Sequence, residues 1–126
     1  MHRYITAGLA VLACTGAATA SAQDATWDWK GTVAAGKSIE IKGVNGDVRA
    51  TAGSGSEVVV TAVKKGRKSD PASVKIEVVN SGAGVTICAV YPSSGKRANS
   101  CGAGDDGHMS TNENDVSVSS TVTVPA

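Results

Sequence analysis

Residues 116–124 read Val-Ser-Val-Ser-Ser-Thr-Val-Thr-Val, with apolar and small polar side chains taking turns almost without a break. A period of two sends alternate side chains to opposite faces of an extended strand, and β-branched residues suit that pleated surface. The same period returns in Ser38-Ile39-Glu40-Ile41-Lys42, in residues 47–52 and in Val74-Lys75-Ile76-Glu77-Val78. Glu57-Val58-Val59-Val60-Thr61-Ala62-Val63 is apolar on both faces, which predicts a central strand. Val85-Thr86-Ile87-Cys88-Ala89-Val90-Tyr91 is a further strand, closed by Pro92. No window beyond residue 22 carries a helical period. The chain is therefore expected to be all-β, with room for one short helical turn at Asp70-Pro71-Ala72-Ser73.

Turn residues separate these runs. Asn45-Gly46 between two alternating segments is a strong hairpin signal, because both residues tolerate positive φ. With those two as the loop, Ile41 faces Ala50 and Ile39 faces Ala52 on one apolar face, and Lys42 faces Arg49 on the other. Residues 116–124, last in the chain, are expected as an exposed edge of the sheet.

The N-terminus bears on the compartment. Arg3 precedes an uncharged apolar run, residues 5–14, and then small residues up to Ala20-Ser21-Ala22. That order describes a secretory signal peptide cleaved between Ala22 and Gln23, with Ala18-Thr19-Ala20 as the second choice. The apolar run falls short of the roughly 20 residues needed to cross a bilayer, and no later segment is a candidate. Val11-Leu12-Ala13-Cys14 loosely resembles a lipobox, which makes lipidation of Cys14 the competing reading.

The domain division is thus 1–22 as signal peptide and 23–126 as one β-strand domain. Of 126 residues, removal of the first 22 leaves 104, a single domain at most. Arg3 leaves with the signal, so the remaining 11 Lys and Arg balance 11 Asp and Glu. A neutral domain has no excess of positive charge for nucleic acid. Cys14 leaves as well, and Cys88 and Cys101 form an even pair in an oxidising compartment, where a disulfide is expected. Two free buried thiols are the alternative. Closing such a loop is worth about 3 kcal/mol, which matters in a chain with no Phe to fill its core.

The one long irregular stretch, 93–115, is rich in Ser, Gly, Asn and Asp, and loops of that length are commonly functional. Asp105, Asp106 and His108 cluster there, with Glu113 and Asp115 beyond, and offer oxygen and imidazole donors to a ligand or metal. Their spacing matches neither a calcium loop nor a zinc helix, so a solvated acidic loop is the plainer reading. Lys64, Lys65, Arg67 and Lys68 form a basic run. It suits either lipid phosphate or a charged turn that discourages edge pairing. Trp27 and Trp29 alternate around Asp28 and share one face, suited to core packing or to stacking on sugars. With His108 as the one histidine after the signal and no glycine elbow around a serine, no hydrolase triad is expected. Gly43-Val44-Asn45-Gly46-Asp47 lacks the helix and Lys-Ser/Thr of a phosphate loop. No cofactor is implied.

Several segments in order resemble a known family. They are Ile39-Glu40-Ile41-Lys42-Gly43-Val44-Asn45-Gly46-Asp47-Val48, Val60-Thr61-Ala62-Val63-Lys64, Ser69-Asp70-Pro71 with Val74, residues 84–92, and Asn114-Asp115-Val116-Ser117-Val118 with the closing Val124-Pro125-Ala126. Together they resemble the N-terminal part of a bacterial adhesin-like family of unknown function with β-strand repeats, domain of unknown function 4097. The resemblance covers nearly all of the chain after the signal. Its members continue past a V-P-A-G element into further G-D repeats that build a β-solenoid, whereas this chain holds one N-G-D unit and ends at Ala126. The fold expected is a small antiparallel β-sandwich or twisted sheet, truncated relative to that solenoid. The function expected is a non-catalytic contact role at the periplasm or cell surface, toward a ligand of the envelope. The alternative is a small ligand- or metal-binding module that uses the 93–115 loop.

Overall fold

The computed structural model describes residues 25–125. The cleavage expected between Ala22 and Gln23 and the competing lipidation of Cys14 both fall outside the described residues. The described residues form seven strands: β1 (Thr26–Gly31), β2 (Ser38–Lys42), β3 (Val48–Gly53), β4 (Val58–Lys65), β5 (Lys75–Ser81), β6 (Gly84–Val90) and β7 (Ser117–Pro125). A 3-10 turn, Pro71–Ser73, sits where a helical turn was expected. The Asp70 carboxylate caps it by accepting from the Ala72 N–H, and Pro71 takes the first position, where no N–H is needed. No helix among the described residues is long and apolar enough to cross a membrane.

The strands form two sheets, β1-β4-β7-β3 and β2-β6-β5, packed as a small sandwich. Both sheets supply one core: Val58, Val60 and Ala62 from β4, Val118 and Val122 from β7, Ile76 from β5, and Val85, Ile87 and Ala89 from β6. Full burial of a Val or Ile side chain stabilises by about 1.5–3 kcal/mol, so alternation of this kind suffices without Phe. Trp27 and Trp29 are both half-buried against this core while their strand neighbours are exposed. The Trp29 ring lies over Gly31, where a Cβ would come within 2.5 Å of it.

β4 is central, between β1 and β7, as its apolar faces predict. Two other expectations are corrected. The first concerns Asn45-Gly46, which does not close a hairpin. β2 and β3 lie in different sheets, and residues 43–47 arch from one sheet to the other. The favoured two-residue hairpin turns need positive φ at the first position, and one of the two kinds needs it at the second as well. Gly46 has it, at 116°, but Asn45 does not. The arch instead docks on the start of β7, where the Val118 and Ser120 N–H groups donate to the carbonyls of Asn45 and Asp47, both at 2.8 Å. As a result β2 runs parallel to β6 and β3 parallel to β7, so both sheets are mixed. Lys42 and Arg49 consequently do not face each other.

The second correction is β7, which is not an edge. It is flanked by β4 and β3, with Val122 beside Val60 and Val118 beside Lys64. Its inner residues Val118, Ser120 and Val122 are the buried ones, and a strand that supplies so much core is best satisfied with hydrogen bonds on both sides.

Candidate functional site

Glu40 and Lys42 of β2, and Thr86 and Cys88 of β6, share the face of the second sheet turned away from the core. Segment 93–115 covers this face as a third layer. The Cys88–Cys101 disulfide fastens it, with Cα atoms 5.6 Å apart, as the cysteine count anticipated. Asn99 clamps the neck of the loop. Its Nδ2 donates to the Tyr91 and Ser110 carbonyls at 2.9 and 2.8 Å, and its Oδ1 accepts from the Ser110 N–H at 2.8 Å. Ser100 and His108 exchange backbone hydrogen bonds, so residues 101–107 form a closed tip.

Lys42 reaches into that tip. Its Nζ donates to the carbonyls of Gly102 at 2.7 Å and Asp106 at 3.2 Å, and also to that of Gly104. Glu40 lies 3.6 Å from the same ammonium and accepts from the Gly104 N–H at 3.1 Å. Three carbonyls and a carboxylate around one cation make the kind of cradle a metal ion would occupy, and here a lysine fills it. Positive φ at Gly104 and Gly107 lets the tip fold tightly enough to aim those carbonyls at one point.

A cleft of about 430 Å³ opens between this tip and the end of β2. Ile41, Val44, Ala89 and Met109 give it apolar walls, and Asp105, Asp106 and His108 all line it. The structure therefore brings the three predicted residues to one cavity. It does not bring them together as a metal cage: among the described residues no three His, Cys, Asp or Glu side chains are placed to hold a metal ion.

Asp115, the outlying candidate, is committed elsewhere. Its carboxylate accepts from the backbone N–H groups of Arg67, Lys68 and Ser69 at 3.2, 2.8 and 2.9 Å. Those bonds, from Ser69 first and Lys68 next, hold its carboxyl below the ordinary carboxylate range. The basic run is likewise divided. Lys65, Arg67 and Lys68 are exposed in the turn that Asp115 closes, but Lys64 is 1% exposed and its Nζ donates to the Val74 carbonyl at 2.9 Å. Lys64 occupies the inward series of β4 with Val58, Val60 and Ala62, which is why it cannot belong to a solvated patch.

Sequence reasoning missed Lys42, Asn99 and Tyr91. Tyr91 is 2% exposed, and its hydroxyl donates to the Val116 carbonyl, which joins the two ends of the 93–115 segment at the core. Burial raises the pKa of that hydroxyl. A lone tyrosine, asparagine or lysine carries no spacing signal. Alternation set Lys42 on the outward face of its strand, but its place beside Cys88 follows from the pairing of β2 with β6, which the sequence reading did not have. Comparison with family models, curated proteins and solved structures found no match.

Proposed function

We propose that this chain is an exported, non-catalytic domain of the cell envelope that acts by contact, and that the cleft beneath residues 104–109 is its contact site. The cleft is the observation that carries the reading. It combines apolar walls with carboxylates at its rim, while the nearby cation, Lys42, is already neutralised by Glu40 and the loop carbonyls. Such a site suits envelope polymers that present hydroxyl or amine groups beside apolar surface. The signal-like N-terminus, the disulfide and the resemblance to an adhesin-like family support the compartment and the contact role.

Co-sedimentation with isolated peptidoglycan tests this. The protein is expected to bind, and Asp105→Ala with Asp106→Ala to weaken binding about tenfold, roughly 1.4 kcal/mol. No binding, or binding unchanged in the double variant, would sink the proposal. Calorimetric titration with calcium and zinc separates the alternative of a metal-binding module: heat with either ion that disappears in the same variant would favour it.

A further inference from the structure

Among the described residues, two strand edges lie open on the same side of the sandwich. β2 bonds to β6 alone and β3 to β7 alone, and the 43–47 arch joins them. The outward backbone groups follow from the ladders. Ser38 N–H donates to the Ala83 carbonyl, and Asp47 O accepts from Ser120 N–H. In a parallel pair every second residue bonds to a given neighbour. Ser38, Glu40 and Lys42 therefore serve β6, and Asp47, Arg49 and Thr51 serve β7. Ile39 and Ile41 on one strand, and Val48, Ala50 and Ala52 on the other, turn their N–H and C=O groups outward.

The same five residues direct their side chains toward the core side, since their register partners are Val85 and Ile87 of β6 and Ser120, Val122 and Val124 of β7. The core nevertheless runs out at this edge. β3 is exposed at five of its six residues, Val48 is 52% exposed and Val44 48%. Neither strand holds a proline. Such an edge is a template for another strand.

We propose that the partner is a second copy of this chain, paired edge to edge about a two-fold axis, so that both sheets continue across the contact. The register that the chain allows with itself supports this occupant. Antiparallel pairing of β3 centred on Ala50 places Val48 against the partner's Ala52 and Arg49 against the partner's Thr51, so apolar meets apolar and no like charges face. Pairing of β2 centred on Ile41 places Glu40 against the partner's Lys42 and Lys42 against the partner's Glu40, so that no like charges face. A centre at Glu40 would set two carboxylates against each other. Ile41 and Ala50 both lie close to the arch, so one axis normal to the sheets serves both registers. The interface is isologous and closes as a dimer.

Analytical ultracentrifugation of the purified, oxidised protein over a dilution series tests the proposal. A species of twice the chain mass is expected. Ala50→Pro removes an outward N–H without costing a bond to β7, and Ala50→Lys sets two ammonium groups against each other at the axis. Both variants are expected to sediment as folded monomers with the disulfide intact and an unchanged circular dichroism spectrum. A wild type that stays monomeric throughout overturns the proposal. So does a dimer that persists in both variants, since its contact would lie elsewhere. If Ala50→Pro fails to fold, Ala50→Lys decides.

Discussion

Asp115 is a half-buried residue whose carboxylate organises two distant stretches of chain. By accepting from three consecutive backbone N–H groups it fixes the 67–69 turn, and its own N–H completes the link by donating to the Ser69 hydroxyl oxygen at 3.1 Å. A carboxyl whose folded pKa lies below its unfolded value stabilises the fold at pH above the unfolded value, ordinarily about 3.9 for Asp, and that contribution is lost as the pH falls through the lowered folded value. Asp115→Asn is therefore expected to be less stable than the wild type at neutral pH, with the gap narrowing below about pH 4 as the wild-type carboxylate takes up its proton. Urea unfolding at neutral and acidic pH measures this, and a gap that does not depend on pH would contradict it. Lys64 and Tyr91 show the complementary case, in which a polar tip at the end of a buried side chain finds a backbone carbonyl, those of Val74 and Val116.

At the scale of the elements, the arch of residues 43–47 decides the topology. Gly46 sits at a φ of 116°, and a Cβ there would lie 2.2 Å from the Val118 carbonyl oxygen. Side chains are strained at such a φ, and here the backbone of β7 leaves no room for one. Gly46→Ala is expected to destabilise by more than about 1 kcal/mol, because the arch must pull away from β7. Gly43→Ala, where nothing lies within 4 Å of the added Cβ, serves as the control and is expected to be nearly neutral. Equal urea midpoints for the two variants would mean that the arch is not held closely against β7.

For the molecule as a whole, the disulfide ties the third layer to the sandwich. Cys88 is buried on β6, and Cys101 lies 13 positions further on, in the tip that holds Lys42. Reduction, or Cys88→Ser with Cys101→Ser, is expected to cost about 3 kcal/mol through the loop entropy returned to the unfolded chain. Thermal and urea melts with and without reductant check this. Identical melts would show that Asn99 and Lys42 hold the loop unaided. Because the cleft is bounded by the same tip, loss of the disulfide is also expected to weaken any ligand held there.

Strand identity was legible in the sequence because alternation is a local property: each of the runs around 38–42, 47–52, 57–63, 74–78, 85–91 and 116–124 became a strand at nearly those limits. The cysteine pair was legible because setting aside the expected signal leaves two cysteines and one pairing. The gathering of Asp105, Asp106 and His108 at one cleft was legible as a cluster in the chain, though not the cavity that gives them a common target. Strand neighbours were decided only by tertiary structure. Asn45-Gly46 suits a hairpin by composition, yet Ile39 and Ile41 lie beside Val85 and Ile87 on β6 and Ala50 beside Val122 on β7, and the chain crosses between sheets instead. The same crossing put β7 in the centre, left β2 and β3 at the rim, and turned Lys42 from an expected surface charge into the cation that the loop closes around.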